Sequence, residues 1–580
     1  MEEHNSSELE FGKISPYQPR QFVPCDVDLS DVGQVAAMYN NLYERDITSV
    51  EQLESFLLDR SELEAVLGQH EAILYIRMTC QTDDPVRANE YKKYVEIILP
   101  VIKPLADKLD RKYLNDSKSF PLDKKRYEVY DRNTKADIEL FRKENVPLQT
   151  EEELLSQEYQ TVCGAMMVNF QGQERTMAQM WKFLEQTDRS VRESAWKAAA
   201  DRRLQDVERL DGILDKMLES RKQIAVNAGC DNYRDYKFHE YHRFDYTVDD
   251  CKRYHDAIEK FAMPVRADIY KQRKSQMNLS SLRPWDLDVD PQGREPLEPF
   301  ETIDDYIART KQVFSRLDPE LGDQFQEMID LGLLDLASRK GKAPGGYQEN
   351  LWEARKPFIF GNVVGTDYDL RLIMHEGGHA FHSLACADES LLSYRDPPIE
   401  FCEVASMSME LFASPHLGLF YNELDAKRSY RLHLESIIRR LPWIATIDAF
   451  QHWLYENANH TSSQRRRAWL QIHNRFGGGL INWSGLELQQ EYLWHRQSHI
   501  FKTPLYYIEY GIAQLGALGL WLQSRQDVSG ALSNYRKALT LGGSRRLPEL
   551  FAAAGLKFDF SEKTIAQLVD AIGQELAQPQ

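Results

Sequence analysis

The sequence predicts a mostly α-helical protein with a small β-sheet. Two observations carry this. From about residue 28 to 260, apolar residues recur at three- and four-residue steps with charges between them, the period of amphipathic helices. Only two stretches turn toward strand: 285–289, where Trp285, Leu287 and Val289 alternate with acids, and the β-branched and aromatic run 356–364. A third observation locates the chemistry. One His-Glu-x-x-His motif, His375, Glu376 and His379, follows the second of these stretches.

In chain order, residues 1–27 read as a Pro-containing lead-in. The acidic start lacks a basic end followed by an apolar run, so no signal peptide is expected. Helices are predicted over 49–82, 86–113, 151–163, 174–200 and 203–229. In the last, Leu210, Ile213, Leu214, Met217 and Leu218 form one apolar stripe. The division expected is a helical lobe at 1–200 and a catalytic region at 201–580. His239 and His242 sit in His-Glu-x-His, one residue short of the metal motif, and read as structural. Asp286, Asp288 and Asp290 imitate a calcium loop. Pro291 and Leu297 stand where such a loop needs Gly and Glu, which excludes it. Residues 341–347 are turn-rich. The strand at 356–364 leads through Gly365 into the motif helix, with Asp367 as N-cap. Its edge suits pairing with an extended peptide backbone. Three glycines within 476–485 resist helix or strand. Pro504 suits the first turn of a further helix, on which Tyr506 and Tyr510 share a face.

The chain has 580 residues, 42% hydrophobic and 28% charged, with a net charge of −19. This permits a sizeable core and disfavours nucleic acid and anionic membranes as partners. No stretch approaches the apolar length of a membrane span. Seven cysteines, none paired as C-x-x-C, point to reduced thiols and a cytoplasmic setting. Cys386 and Cys402 lie near the motif and read as packing residues.

On a helix, His375 and His379 lie one above the other and can grip one metal ion, while Glu376 flanks it. Two imidazoles, a metal and a carboxylate beside the bound water are what a zinc hydrolase requires. Gly377 and Gly378 each cost a helix about 1 kcal/mol relative to Ala. They imply that something approaches this helix closely. A metzincin would continue with Gly and His where His382 and Ala385 stand. The third ligand is therefore sought on a second helix. By spacing alone, Glu400, Glu403 and Glu410 all remain candidates.

Glu403-Val-Ala-Ser followed by Glu410, downstream of His375-Glu-x-Gly-His-Ala-x-His382, resembles the thimet-oligopeptidase and oligoendopeptidase F group of zinc metallopeptidases. The resemblance implies a zincin-type catalytic region and two helical lobes around a deep substrate cleft. It implies Glu403 as third zinc ligand, Glu410 beside the site and His382 as a buried supporting residue. It also implies that a His before a Tyr-rich helix closes over the substrate. His499, Tyr506 and Tyr510 fall on those positions, and a further Tyr of some members is replaced by Ala513. The resemblance is most specific between about 341 and 520.

The expectation is one Zn²⁺ held by His375, His379 and Glu403, and cleavage of internal bonds in short peptides. Glu376 would act as general base, with Tyr506 and His499 stabilising the oxyanion. Tyr510 would position substrate, as would the strand around Phe358, Phe360 and Gly361. The glycine loops at 345–346 and 477–479 would move to admit it. The alternatives are a zinc exopeptidase and a non-catalytic peptide-binding homologue.

Overall fold

The computed structural model describes residues 14–578, so the first part of the predicted lead-in lies outside the described residues. Helices dominate. The N-terminal part contains α1 (Val32–Tyr43), α2 (Val50–Cys80), α3 (Leu99–Asp116), α4 (Lys124–Leu140) and α5 (Val146–Gly164). Asp31 and Ser49 cap α1 and α2 by accepting first-turn N–H groups. Val35, Leu42, Leu53, Phe56, Leu109 and Tyr113 form a core that also takes in Leu391 and Tyr394 from far down the chain. The stripe predicted on α6 (Val207–Ala228) is buried. Its partners include Phe450, Trp469 and Trp494, more than 200 residues away.

Three local expectations are corrected. The helix predicted over 174–200 is two helices, Met177–Lys182 and Arg189–Leu204. A hairpin of β1 (Met167–Phe170) and β2 (Gln173–Thr176) precedes them. Gln171 and Gly172, both at positive φ, make the two-residue turn whose twist suits a hairpin. The alternation at 285–289 is no strand, since Pro284–Asp286 forms a 3₁₀ turn. Fully buried Asp286 draws the chain round itself. It accepts from Arg189 (2.8 and 2.9 Å), Arg192 (3.3 Å) and the Arg283 N–H (2.9 Å). Helix formation after Pro504 also waits until Ile508. Leu505 sits at φ +65°, and residues 504–507 form a turn. The N–H of Leu505 donates to Gln451 (2.7 Å), and its carbonyl accepts from Arg243 (2.6 Å).

The small sheet contains β3 (Leu334–Ala337), β4 (Tyr347–Leu351) and β5 (Lys356–Val363), in the order β3-β5-β4. β5 runs parallel to β3 and antiparallel to β4. The strand expected at an edge is thus the central one, because the tight turn 352–355 folds β4 back onto it. The turn-rich stretch before β4 is tied to α2, with Thr82 N–H on Gly341 O (2.6 Å) and Ala343 N–H on Thr79 O (2.8 Å).

The remaining elements used below are α7 (Val248–Ala257), α8 (Ile303–Leu317), α9 (Asp367–Ala385), α10 (Ile399–Ala413), α11 (Glu423–Glu456), α12 (Ser462–Gly477) and α13 (Ile508–Ser524). The first of the three consecutive glycines ends α12, and Gly478 is its left-handed cap. Among the described residues, no helix is long and apolar enough to cross a membrane.

Candidate metal centre

The motif lies on α9, directly after β5. The N-cap is Thr366, not Asp367, in a capping box with Asp369. The Asp369 carboxylate collects the N–H groups of Val364, Gly365 and Thr366 at 2.7–3.0 Å. This satisfies orphan donors and locks the end of β5 to the start of the helix.

The two glycines answer the question their cost raised. A Cβ on Gly377 would meet the Phe314 ring of α8 at 2.6 Å. A Cβ on Gly378 would meet Ser406 Cα at 2.5 Å and Ala405 O at 2.6 Å. What approaches closely is neighbouring protein, above all α10. That approach carries Glu403 to the two imidazoles. Its Oε2 lies 3.2 Å from His375 Nε2 and 3.5 Å from His379 Nε2. Donors bound to one zinc at about 2.0–2.2 Å sit about 3.4 Å apart in a tetrahedron. The donor set, one carboxylate and two imidazoles, therefore fits a single zinc ion. The imidazoles keep 14–17% of their surface, so the site faces solvent on one side.

The three glutamates left open by spacing have different surroundings. Glu400 accepts from Tyr246 (2.7 Å). Glu410 bonds His375 Nδ1 (2.9 Å) and His433 Nε2 (2.9 Å). Burial pushes Glu410 upward, but those bonds hold its carboxyl well below the usual range. A carboxylate on Nδ1 keeps the proton there and leaves Nε2 free to ligate. Buried His382 has neither ring nitrogen hydrogen-bonded, and burial pushes it down to about 3, with His379 adding to the shift.

Glu376 is buried, and burial raises its pKa. Gly346, in the loop before β4, lies beside it: a Cβ there would meet Leu372 Cδ1 at 2.5 Å and lie in ordinary contact, 3.5 Å, with Glu376 Oε1. Phe358 and Phe360 are fully buried, and Phe360 stacks on Tyr347. The Gly361 carbonyl accepts from buried Lys342 at 2.5 Å. These side chains and this carbonyl serve the sheet's own packing.

The aromatic cluster stands on the other side of Glu403. Tyr506 donates to Glu403 Oε1 (2.7 Å), and Ser406 donates to Oε2 (2.9 Å). Gln497 donates to His499 Nδ1 (2.7 Å). His499 then carries its proton on Nε2, which meets the Tyr510 oxygen at 3.1 Å. Burial pushes His499 down to about 4, so it is neutral near pH 7.

The sequence reading missed His433, Gln497, Arg243 and Lys342. Only their neighbours in space make them conspicuous. The one available signal was that Glu410, facing a packed helix, needs polar partners. Conversely, His239 and His242 lie away from this centre, and His242 bonds Asp137 (2.8 Å). Cys386 and Cys402 make weak S–H bonds to the carbonyls of Leu539 and Pro397.

Comparisons with known proteins bear on the fold and the family. The chain resembles PZ peptidase A, solved with an inhibitor, with a TM-score of 0.90 and 28% identity over 96% of this chain and 99% of that one. A Bacillus anthracis protein described as an oligoendopeptidase F gives 0.85 and 26% over 97% and 98%. An oligoendopeptidase F homologue of Borreliella burgdorferi is 24% identical over 312 residues, 51% of this chain and 50% of the relative. In that match the chain spans about half the length of the curated relative. Residues 22–141 match the Peptidase M3 N-terminal domain, and residues 182–570, well over half the chain, match Peptidase family M3 itself. With the helical fold and the His-Glu-x-x-His helix in place, the chain belongs to Peptidase family M3.

Proposed function

We propose that this protein is a zinc-dependent oligoendopeptidase that hydrolyses internal bonds of short peptides. The observation that carries the reading is the convergence of His375, His379 and Glu403 on one point, with Glu376 beside it. A zinc ion held by those three residues supplies Lewis acidity, which polarises the scissile carbonyl and brings the pKa of a water toward about 7. Glu376 takes the proton of the attacking water and hands it to the leaving amine. Its burial-raised pKa suits it to both tasks.

The hydrogen bonds support a division of labour among the aromatic residues that differs from the motif-based expectation. Tyr506 is committed to Glu403 and steadies that ligand. Tyr510 accepts from His499 and keeps its own O–H free for the developing oxyanion. His499 and Gln497 therefore act behind Tyr510. The substrate-pairing role passes from β5 to β4, an edge strand of the three-stranded sheet. The loop at 345–346 beside Glu376 would admit or close over the peptide. Tyr368 lies two turns before His375 on the same face and is 63% exposed, so it is free to contact a peptide bound between the two proposed lobes, 1–200 and 201–580. A cytoplasmic setting follows from seven unpaired cysteines.

The test is cleavage of an end-blocked, internally quenched peptide, with metal content measured on the same sample. Internal cleavage by a zinc-loaded wild type, lost in Glu376→Gln with zinc retained, supports the proposal. Zinc without internal cleavage, but with trimming of free-ended peptides, replaces it by an exopeptidase. Cleavage unchanged in Glu376→Gln ends it.

A further inference from the structure

A second group of metal-binding side chains lies outside the candidate centre. Cys251 and His255 are four residues apart on α7, and Asp448 and His452 are four apart on α11. Each pair shares a helix face. Cys251 and Asp448 are fully buried, and both histidines are 3% exposed. The ligand atoms of Cys251, Asp448 and His452 all lie within 4.8 Å of one another. His255 Nε2 meets Asp448 Oδ2 at 2.7 Å, and His452 Nε2 lies 3.2 Å from that oxygen.

The cluster is unfinished as a hydrogen-bond network. Asp448 Oδ1 and His452 Nδ1 are buried without a hydrogen-bond partner, and His452 Nε2, though close to Asp448 Oδ2, is not aligned for a hydrogen bond with it. Each such group loses its hydration without a replacement, at a greater cost for a charged one. Native interiors keep few of them, and a bound ion is among the usual reasons. A cation between the two helices would take one ring nitrogen of His452, a carboxylate oxygen of Asp448 and the Cys251 sulfur as ligands.

We propose that Cys251, Asp448 and His452 form a second, structural site for a divalent transition metal, with His255 orienting Asp448 from behind. One thiolate, one imidazole and one carboxylate select zinc over the hard, oxygen-seeking calcium and magnesium. The thiol proton leaves as the metal binds. The site is sealed, so it ties α7 to α11 and performs no hydrolysis. Gln451, beside His452, holds the N–H of Leu505 directly before Tyr506. The tie therefore also braces the turn that presents Tyr506.

Cobalt provides the test, because the candidate catalytic centre offers only imidazole and carboxylate. A thiolate-to-cobalt charge-transfer band in the near ultraviolet reports a cysteine ligand alone. The full chain is expressed in zinc-depleted medium with Co²⁺, so that the sealed site fills as the chain folds. The expected wild type holds two Co²⁺ and shows the band. Cys251→Ser and His452→Asn each hold one and lack it, whereas Glu403→Gln keeps it. A wild type with one Co²⁺ and no band overturns the proposal, whatever the variants do. A band that survives both substitutions overturns it too, because another cysteine is then the ligand.

Discussion

Two helix-borne clusters in this molecule use the same spacing and face opposite conditions. On α9, His375 and His379 stand four residues apart, receive Glu403 from α10 and keep 14–17% of their surface. On α7 and α11, two pairs at the same spacing meet where nothing is more than 3% exposed. In the first, the second carboxylate, Glu410, sits behind an imidazole and turns it toward the opening. In the second, His255 sits behind the carboxylate, and the unpartnered atoms turn inward. One arrangement is open to solvent on one side, and the other is sealed. Spacing makes a pair of ligands; the packing around the pair decides whether it can do chemistry.

The strongest way to break this contrast is Glu376→Gln. It should lower cleavage by about 10²–10⁴-fold with metal content unchanged, measured by turnover and elemental analysis. An equal loss on Cys251→Ser with the first metal retained would make the buried cluster part of the chemistry. Tyr510→Phe should lower kcat by about 10²-fold. Tyr506→Phe should act chiefly through metal affinity, measured by competition with a chelator. Equal kcat losses without a change in affinity would restore the oxyanion role to Tyr506. Glu410→Gln should weaken metal binding by about 10–100-fold, by releasing the His375 ring. Gly378→Ala should destabilise the fold by about 1–3 kcal/mol and loosen the metal, since the added carbon meets α10 backbone; denaturant titration of both forms measures it.

The smallest expected effect is on stability against pH. Burial holds His382 at about 3 and His473 and His499 at about 4. An unfolded histidine binds its proton near 6.5. Between those values protons favour the unfolded chain, so stability is complete above about pH 6.5 and falls as pH drops toward 4. Thermal midpoints across that window check it. A flat profile would mean that compensating groups, carboxylates among them, take up the difference.

Much of the first cluster was legible because it is nearly local. Five consecutive residues carry two ligands and the base, and helical periodicity alone puts them on one face. Glu403 was narrowed to one of three by spacing and singled out only through resemblance. The structure separates the three by partner: Tyr246 for Glu400, the imidazoles for Glu403, His375 with His433 for Glu410. The second cluster was not legible. Cys251 and Asp448 are separated by nearly 200 residues, and neither pair forms a motif. The misread strand at 285–289 failed for a similar reason: Arg189 and Arg192, from a distant helix, fold the chain around Asp286.

By itself, the sequence determined the helical character of the chain, the stripe that buries α6, and the placement of His375, Glu376 and His379 on one face. Those depend on backbone periods of a few residues. Tertiary structure alone decided that β5 is central, that Gly377 and Gly378 admit Phe314 and α10, and that Tyr506 serves Glu403 while Tyr510 keeps a free hydroxyl. Each depends on which distant surfaces meet, and close packing and hydrogen-bond partnership are properties of that meeting.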